Sequence, residues 1–134
     1  MTFSQLTDIF ESWGYVVKPE HYFGFKRYCQ AMMKMGRVII IMNGHSVEAL
    51  VFFFITNDYR RLYKKGEWHI ALDNPQGEQM YVDKMICKRW TLEIRRKLQY
   101  LIEHNFPNVK EAFYHRAPFD RCVRIKRREA LCTK

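Results

Sequence analysis

The sequence predicts an α+β fold in a single domain, from three observations. Apolar residues recur at helical spacing in two segments before residue 37, β-branched apolar runs follow, and another helical stripe begins after residue 91. A length of 134 residues suits one domain better than two. No internal repeat and no Pro-, Gly- or Ser-rich linker divides the chain. We therefore expect one domain over residues 1–134, with a mixed, mostly antiparallel sheet.

Two helices are predicted at the start of the chain. The first begins at a capping box formed by Thr2 and Gln5 and ends at Gly14. The second begins near Pro19, which the first turn of a helix tolerates, and ends at Gly36. Each carries an apolar stripe, made of Phe3, Leu6, Ile9, Phe10 and Trp13 in the first and of Tyr22, Phe25, Cys29, Met32 and Met33 in the second.

A β-hairpin is predicted after the second helix. Residues 38–42 form a β-branched apolar run, Asn43-Gly44 is a strong turn signal, and residues 47–56 form a second apolar run. Both runs are apolar on both faces of the strand. We therefore expect helices to cover the sheet on each side.

The second half of the chain is predicted to complete the sheet around one more helix. A turn is expected at residues 73–77, and Thr91 is the expected N-cap of the helix, whose apolar face includes Ile94, Leu98 and Ile102. A turn is also expected at residues 117–119. The predicted strands are residues 67–72, 79–87, 109–115 and 122–127.

Charge is distributed unevenly along the chain. Residues 1–82 carry 9 Lys and Arg against 8 Asp and Glu, a net charge of +1, whereas residues 83–134 carry 14 against 6, a net charge of +8. The last part of the chain, with a basic strand and tail at residues 121–134, is therefore expected to meet an anionic partner. Nucleic acid, a phosphorylated cofactor and an acidic protein surface all fit this charge.

Several classes of protein are excluded by what the sequence lacks. The longest apolar run, residues 49–55, is seven residues and too short for a membrane span, and no signal peptide is recognisable. The four cysteines are far apart and the five histidines lack metal-ligand or triad spacing, so we expect free thiols, no metal and no hydrolase triad. The expected location is the cytoplasm, or the virion if a phage encodes the chain.

The order helix, helix, hairpin, strand, helix, strand, strand resembles the core of the GNAT superfamily of N-acyltransferases. Residues 42–51 resemble the hairpin of that family, residues 81–86 its fourth strand with residues 91–104 as the following helix, and residues 113–116 the strand beside it. The resemblance covers residues 3–127. It implies a GNAT-like fold and acyl transfer from acetyl-CoA or another acyl-CoA to an amine.

The resemblance also implies where the cofactor would bind. Family members hold the CoA pyrophosphate with backbone N–H groups of a Gly-rich loop before the helix. The matching positions here contain no glycine, so an anion would be held by side chains and charge instead. These cofactor-binding candidates are Cys87, Lys88, Arg89, Trp90 and Thr91.

Acyl transfer needs a base for the amine and a sheet that opens to admit the thioester. Asp83 on the expected central strand is the candidate base, and Tyr81 and His115 are expected to complete a polar cluster around it. In the alternative interpretation, Asp83 is a surface residue or pairs with Lys84 or Arg116.

A second function stays open from the sequence, that of a non-catalytic accessory or phage protein. Its basic face would bind nucleic acid or a protein partner, with basic side chains on phosphates and aromatic side chains stacked on bases. The nucleic-acid-binding candidates are Arg95, Arg96, Arg121, Arg124, Lys126, Arg127 and Arg128. The oligomeric state is not predicted.

Overall fold

The computed structural model describes residues 2–58, 73–116 and 119–124. Three α-helices, one 3₁₀ turn and five strands lie in these ranges. The predicted strand at residues 67–72 and the candidates Lys126, Arg127 and Arg128 lie outside them. In chain order the elements are α1 (Phe3–Ser12), the 3₁₀ turn (Pro19–His21), α2 (Tyr22–Lys34), β1 (Val38–Asn43), β2 (Ser46–Thr56), β3 (Gln79–Cys87), α3 (Leu92–Asn105), β4 (Glu111–Arg116) and β5 (Phe119–Arg124).

The five strands form one sheet in the order β1-β2-β3-β4-β5. Neighbouring strands are antiparallel except β3 and β4, which are parallel and are joined by the α3 crossover. The chain is therefore an α+β fold with a single mixed, mostly antiparallel sheet, as the sequence predicted.

Helices cover both faces of this sheet. Apolar residues of α3 pack on one face in a core with Val51, Phe53 and Ile55 of β2, and those of α1 and α2 pack on the other in a core with Phe52 and Phe54. Every residue of β2 from Ala49 to Thr56 is buried. The expectation that helices cover the sheet on each side is thus confirmed for β2, whereas β1 leaves Ile40 and Met42 exposed.

The predicted caps are present. Thr2 and Gln5 form the capping box of α1, and the Thr91 hydroxyl accepts a hydrogen bond from the Ile94 amide at the start of α3. Gly14 and Gly36 follow α1 and α2 with φ of 77° and 71°. These left-handed values are the ones that end helices at glycine.

The predicted hairpin is present, and each strand extends one residue further into the turn than predicted. Asn43 pairs with Ser46, so the central turn residues are Gly44 and His45. Gly44 has φ of 60°, while no described residue other than glycine has a positive φ. A two-residue turn with glycine first needs a positive φ at the glycine alone. A turn centred on Asn43-Gly44 would need a positive φ at Asn43 as well.

The last two strands begin at other residues than predicted. β4 begins at Glu111 instead of residue 109, and β5 begins at Phe119, where the sequence predicted a turn, instead of residue 122. The pairing with β4 sets the position of β5, since the ladder runs from Glu111 opposite Arg124 to Arg116 opposite Phe119. Alternation of side chains within one strand does not contain that information.

A buried ion pair joins the start of β1 to the turn before β3. The Arg37 Nε and Nη2 donate to the two carboxylate oxygens of Asp73 at 2.9 and 3.0 Å, and the Ile55 amide donates to the same carboxylate at 2.8 Å. The Arg37 and Asp73 side chains are 12% and 4% exposed. Asp73 therefore holds β1, β2 and the segment that leads into β3 in one arrangement.

Replacing Asp73 with alanine is expected to lower the free energy of unfolding by about 3–5 kcal/mol, because Arg37 would remain buried without its partner. Urea denaturation followed by circular dichroism measures the loss. Glu78→Ala is the control, since its ion pair with Lys110 is exposed and is expected to contribute less than about 1 kcal/mol. Equal losses in both variants would contradict the role given to Asp73.

Candidate functional site at the end of the β3–β4 ladder

The two parallel strands of the sheet part near their middle. The β3–β4 ladder runs from Gln79 opposite Glu111 to Val82 opposite Tyr114. Beyond that point β3 continues to Cys87, while the last residues of β4, His115 and Arg116, remain paired with β5. The sheet therefore opens directly after Val82.

A β-bulge lies at this opening. Phe52 of β2 pairs with Lys84 and Phe53 pairs with Val82, so Asp83 is the extra residue on β3. Bulges bend a strand and re-aim its side chains, and they occur often beside active sites. Here the bulge gives the side chains of Asp83 and Lys84 a common neighbour on α2.

That neighbour is Tyr28. Its hydroxyl donates a hydrogen bond to Oδ2 of Asp83 at 2.5 Å, and the Lys84 ammonium lies 5.8 Å from the centre of its ring. Burial and the adjacent negative charge of Asp83 raise the pKa of Tyr28 well above its ordinary value near 10. The phenol therefore stays protonated and acts as a hydrogen-bond donor to the carboxylate.

Two cysteines near this cluster, Cys29 and Cys87, have protonated thiols at neutral pH. Burial raises the pKa of Cys29, beside Tyr28 on α2, to about 12, and burial also raises the pKa of Cys87 at the end of β3. Both cysteines are free. Since the thiolate is the reactive form, neither residue is suited to act as a nucleophile at neutral pH.

The structure brings the predicted catalytic residues partly together. Tyr81 belongs to the core beneath α1 and α2, and Asp83 hydrogen-bonds to Tyr28 of α2, so both side chains are directed to the same face of the sheet. His115 is the first residue of β4 beyond the ladder and its backbone pairs with Asp120. Neither prediction for Asp83 included its contact with Tyr28.

Tyr28 is a functional residue of this cluster that the sequence did not predict. The available signal was its position three residues after Phe25, on the buried side of a helix. A tyrosine whose ring packs in a core needs a partner for its hydroxyl, and a carboxylate from the underlying strand is one such partner. Alternation along β3 places Asp83 on the same face as Tyr81, but the sequence alone did not reveal that α2 covers this face.

The junction between β3 and α3 presents the cofactor-binding candidates. Lys88, Arg89 and Trp90 are exposed, Cys87 is half-buried, and the Thr91 hydroxyl is engaged in the helix cap. A groove of about 770 Å³ runs along this junction. It is lined by Lys88, Arg89, Thr91, Glu93 and Ile94 on one side and by Ile9, Ser12 and Trp13 of α1 with residues 45–48 of the hairpin on the other.

The nucleic-acid candidates within the described residues lie on two separate elements, α3 and β5. Arg95 and Arg96 are exposed on α3, and Arg96 lies beside β1, at one end of the sheet. Arg121 and Arg124 belong to β5, at the other end. These four candidates therefore belong to elements at opposite ends of the sheet.

No protein-family model matches the chain, and no curated protein matches it. Within residues 2–58, 73–116 and 119–124, no helix is long and apolar enough to cross a membrane. Over the same ranges, no group of three or more histidine, cysteine, aspartate or glutamate side chains is arranged to hold a metal ion.

Replacing Tyr28 with phenylalanine is expected to destabilise the fold at pH 7 by about 1–3 kcal/mol, because Asp83 loses a donor to its carboxylate. The raised pKa of Tyr28 means that the folded state binds its proton more tightly than the unfolded state does. The stability from this group is thus fully present below about pH 10 and is lost as pH rises above that value.

The free energy of unfolding, measured by urea denaturation from pH 7 to pH 11, tests both effects. The difference between the parent chain and Tyr28→Phe should narrow above about pH 10. Tyr22→Phe, which removes a hydroxyl from a 39% exposed side chain, is the control and should leave stability at pH 7 almost unchanged. A difference that stays constant across the range would contradict the proposed ionisation.

Proposed function

We propose that the chain is a GNAT-like acyltransferase-related protein that transfers an acyl group from acyl-CoA to an amine where β3 and β4 part. The observation that carries this proposal is the end of the parallel ladder at Val82 and Tyr114, with the bulged Asp83 directly beyond it. A carboxylate thus lies at the one position along β3 where the sheet opens toward β4.

The dimensions of β3 support an extended ligand. The segment from Asp83 to Lys88 spans about 16 Å in an extended strand, a length comparable to the pantetheine arm between the thioester and the pyrophosphate of CoA. The amides of the pantetheine arm can hydrogen-bond to the backbone of Lys84 to Cys87 at the edge of β3, as an added strand would. The pyrophosphate would then reach Lys88 and Arg89, which are exposed at the start of α3.

The proposed chemistry assigns separate tasks to Asp83 and Tyr28. The amine nitrogen attacks the thioester carbonyl carbon, and the Asp83 carboxylate accepts the proton that the nitrogen releases. The carbon–sulfur bond then breaks, and the proton passes from Asp83 to the departing CoA thiolate. Tyr28, which keeps its own proton, holds the carboxylate in position.

Acetyl-CoA at about 1 mM is expected to raise the melting temperature of the protein by mass action, because it binds the folded state. Lys88→Ala combined with Arg89→Ala should abolish the shift. Arg27→Ala combined with Lys34→Ala removes the same charge from exposed positions on α2 and should preserve the shift.

Asp83→Asn should also keep the shift in melting temperature, while it slows the release of free CoA thiol with poly-L-lysine as the acceptor. No shift for the parent chain would refute the proposal.

Nucleic-acid binding is the competing proposal, and the exposed Arg95 and Arg96 favour it. Neither arginine side chain has an ion-pair or hydrogen-bond partner within the described ranges. Retardation of a short DNA duplex should weaken steeply with salt if these charges contact phosphates. Arg95→Glu and Arg96→Glu should then reduce retardation by similar factors, since phosphate contacts are additive charges. Retardation that salt does not affect would count against this function.

A further inference from the structure

Among the strands of residues 2–58, 73–116 and 119–124, β1 lies at one edge of the sheet, and this edge has the features of a strand-addition site. β1 is an outer strand of the sheet and has the sequence Val-Ile-Ile-Ile-Met-Asn. Natural sheets protect such edges with charged residues, proline or a bulge in the edge strand. β1 contains neither charge nor proline, and Ile40 and Met42 are 37% and 41% exposed.

The backbone groups that face outward can be assigned from the ladder. The Phe53 amide donates to the Arg37 carbonyl at 3.1 Å, so the polar groups of Arg37 and of alternate residues after it face β2. Those of Val38, Ile40 and Met42 face away from β2. The Met42 carbonyl confirms this direction, because it accepts a hydrogen bond from the Lys97 ammonium of α3 at 2.9 Å.

A groove runs along this edge between β1 and α3. It has a volume of about 470 Å³ and is lined by Ile40, Ile41, Met42, Arg96, Lys97, Tyr100 and Leu101. Tyr100 is 58% exposed and supplies an apolar wall. Lys97 already lies 3.4 Å from Glu93 and 3.9 Å from Glu48, whereas Arg96 has no such partner within the described ranges.

We propose that an extended segment of another protein, with alternating apolar and acidic residues, adds to the sheet beside β1. Its backbone pairs with Ile40, its apolar side chains cover Tyr100 and Leu101, and a carboxylate pairs with Arg96. Charge argues against a second copy as the occupant, since two-fold pairing of β1 would bring two Arg96 side chains together between chains of net charge +9. This inference does not depend on the acyltransferase proposal.

A fluorescein-labelled ten-residue peptide that alternates valine and glutamate is a direct probe, with binding measured by fluorescence anisotropy. Arg96→Glu should weaken binding about tenfold. Arg95→Glu makes the same charge change on the adjacent exposed residue, which does not line the groove, and should change binding less than about twofold. A peptide with lysine in place of glutamate should bind Arg96→Glu more tightly than it binds the parent chain.

The contribution of the strand edge is tested separately. Ile40→Lys adds the kind of charge that protects natural edges and should abolish peptide binding, while circular dichroism and the melting temperature report whether the variant is folded. Peptides N-methylated at either set of alternate residues should differ, because only one set faces β1. Three results would overturn the proposal. The first is an equal effect of the Arg95 and Arg96 variants, and the second is equal binding of the two methylated peptides. The third is a dimer of the parent chain in sedimentation that Ile40→Lys dissociates.

Discussion

The burial of β2 on both faces is the constraint on which the rest of the fold depends. Leu50, Phe52 and Phe54 face the core under α1 and α2, while Val51, Phe53 and Ile55 face the core under α3. A strand that is apolar on both faces is stable only when other elements cover each face. The crossover through α3 supplies the second cover, and it also makes β3 and β4 parallel.

The opening in the sheet follows from this arrangement and from one additional residue. β3 is paired with β2 along nearly its whole length, whereas β4 is paired along its whole length with β5. The bulge at Asp83 bends β3 where its ladder with β4 ends. The same bulge turns Lys84 to the face of Asp83, where both side chains meet Tyr28 of α2. One local irregularity thus lies at the gap and sets the charge beside its carboxylate.

Local patterns predicted most of the fold because its elements are locally specified. The caps at Thr2 and Thr91 and the bounds of β3 were found in the structure as predicted. The first residues of β4 and β5 were not, because they depend on register between strands. The Tyr28–Asp83 contact joins residues 55 positions apart and depends on how α2 packs on the sheet, so spacing along the chain could identify Asp83 as a candidate without identifying its partner.

The chemistry of the β3–α3 junction differs from that of a glycine-rich loop in a way that affects ligand recognition. Backbone N–H groups bind an anion at fixed positions, whereas Lys88 and Arg89 are exposed, long side chains that lose conformational freedom on binding. Attraction between exposed charges is also screened by salt. Glu93, in the first turn of α3, adds a negative charge where a bound phosphate would lie, although Lys97 offsets it at 3.4 Å. Specificity for an acyl-CoA would therefore have to come from the strand edge beyond Val82, where direction and spacing are fixed, with the basic junction contributing mainly long-range attraction.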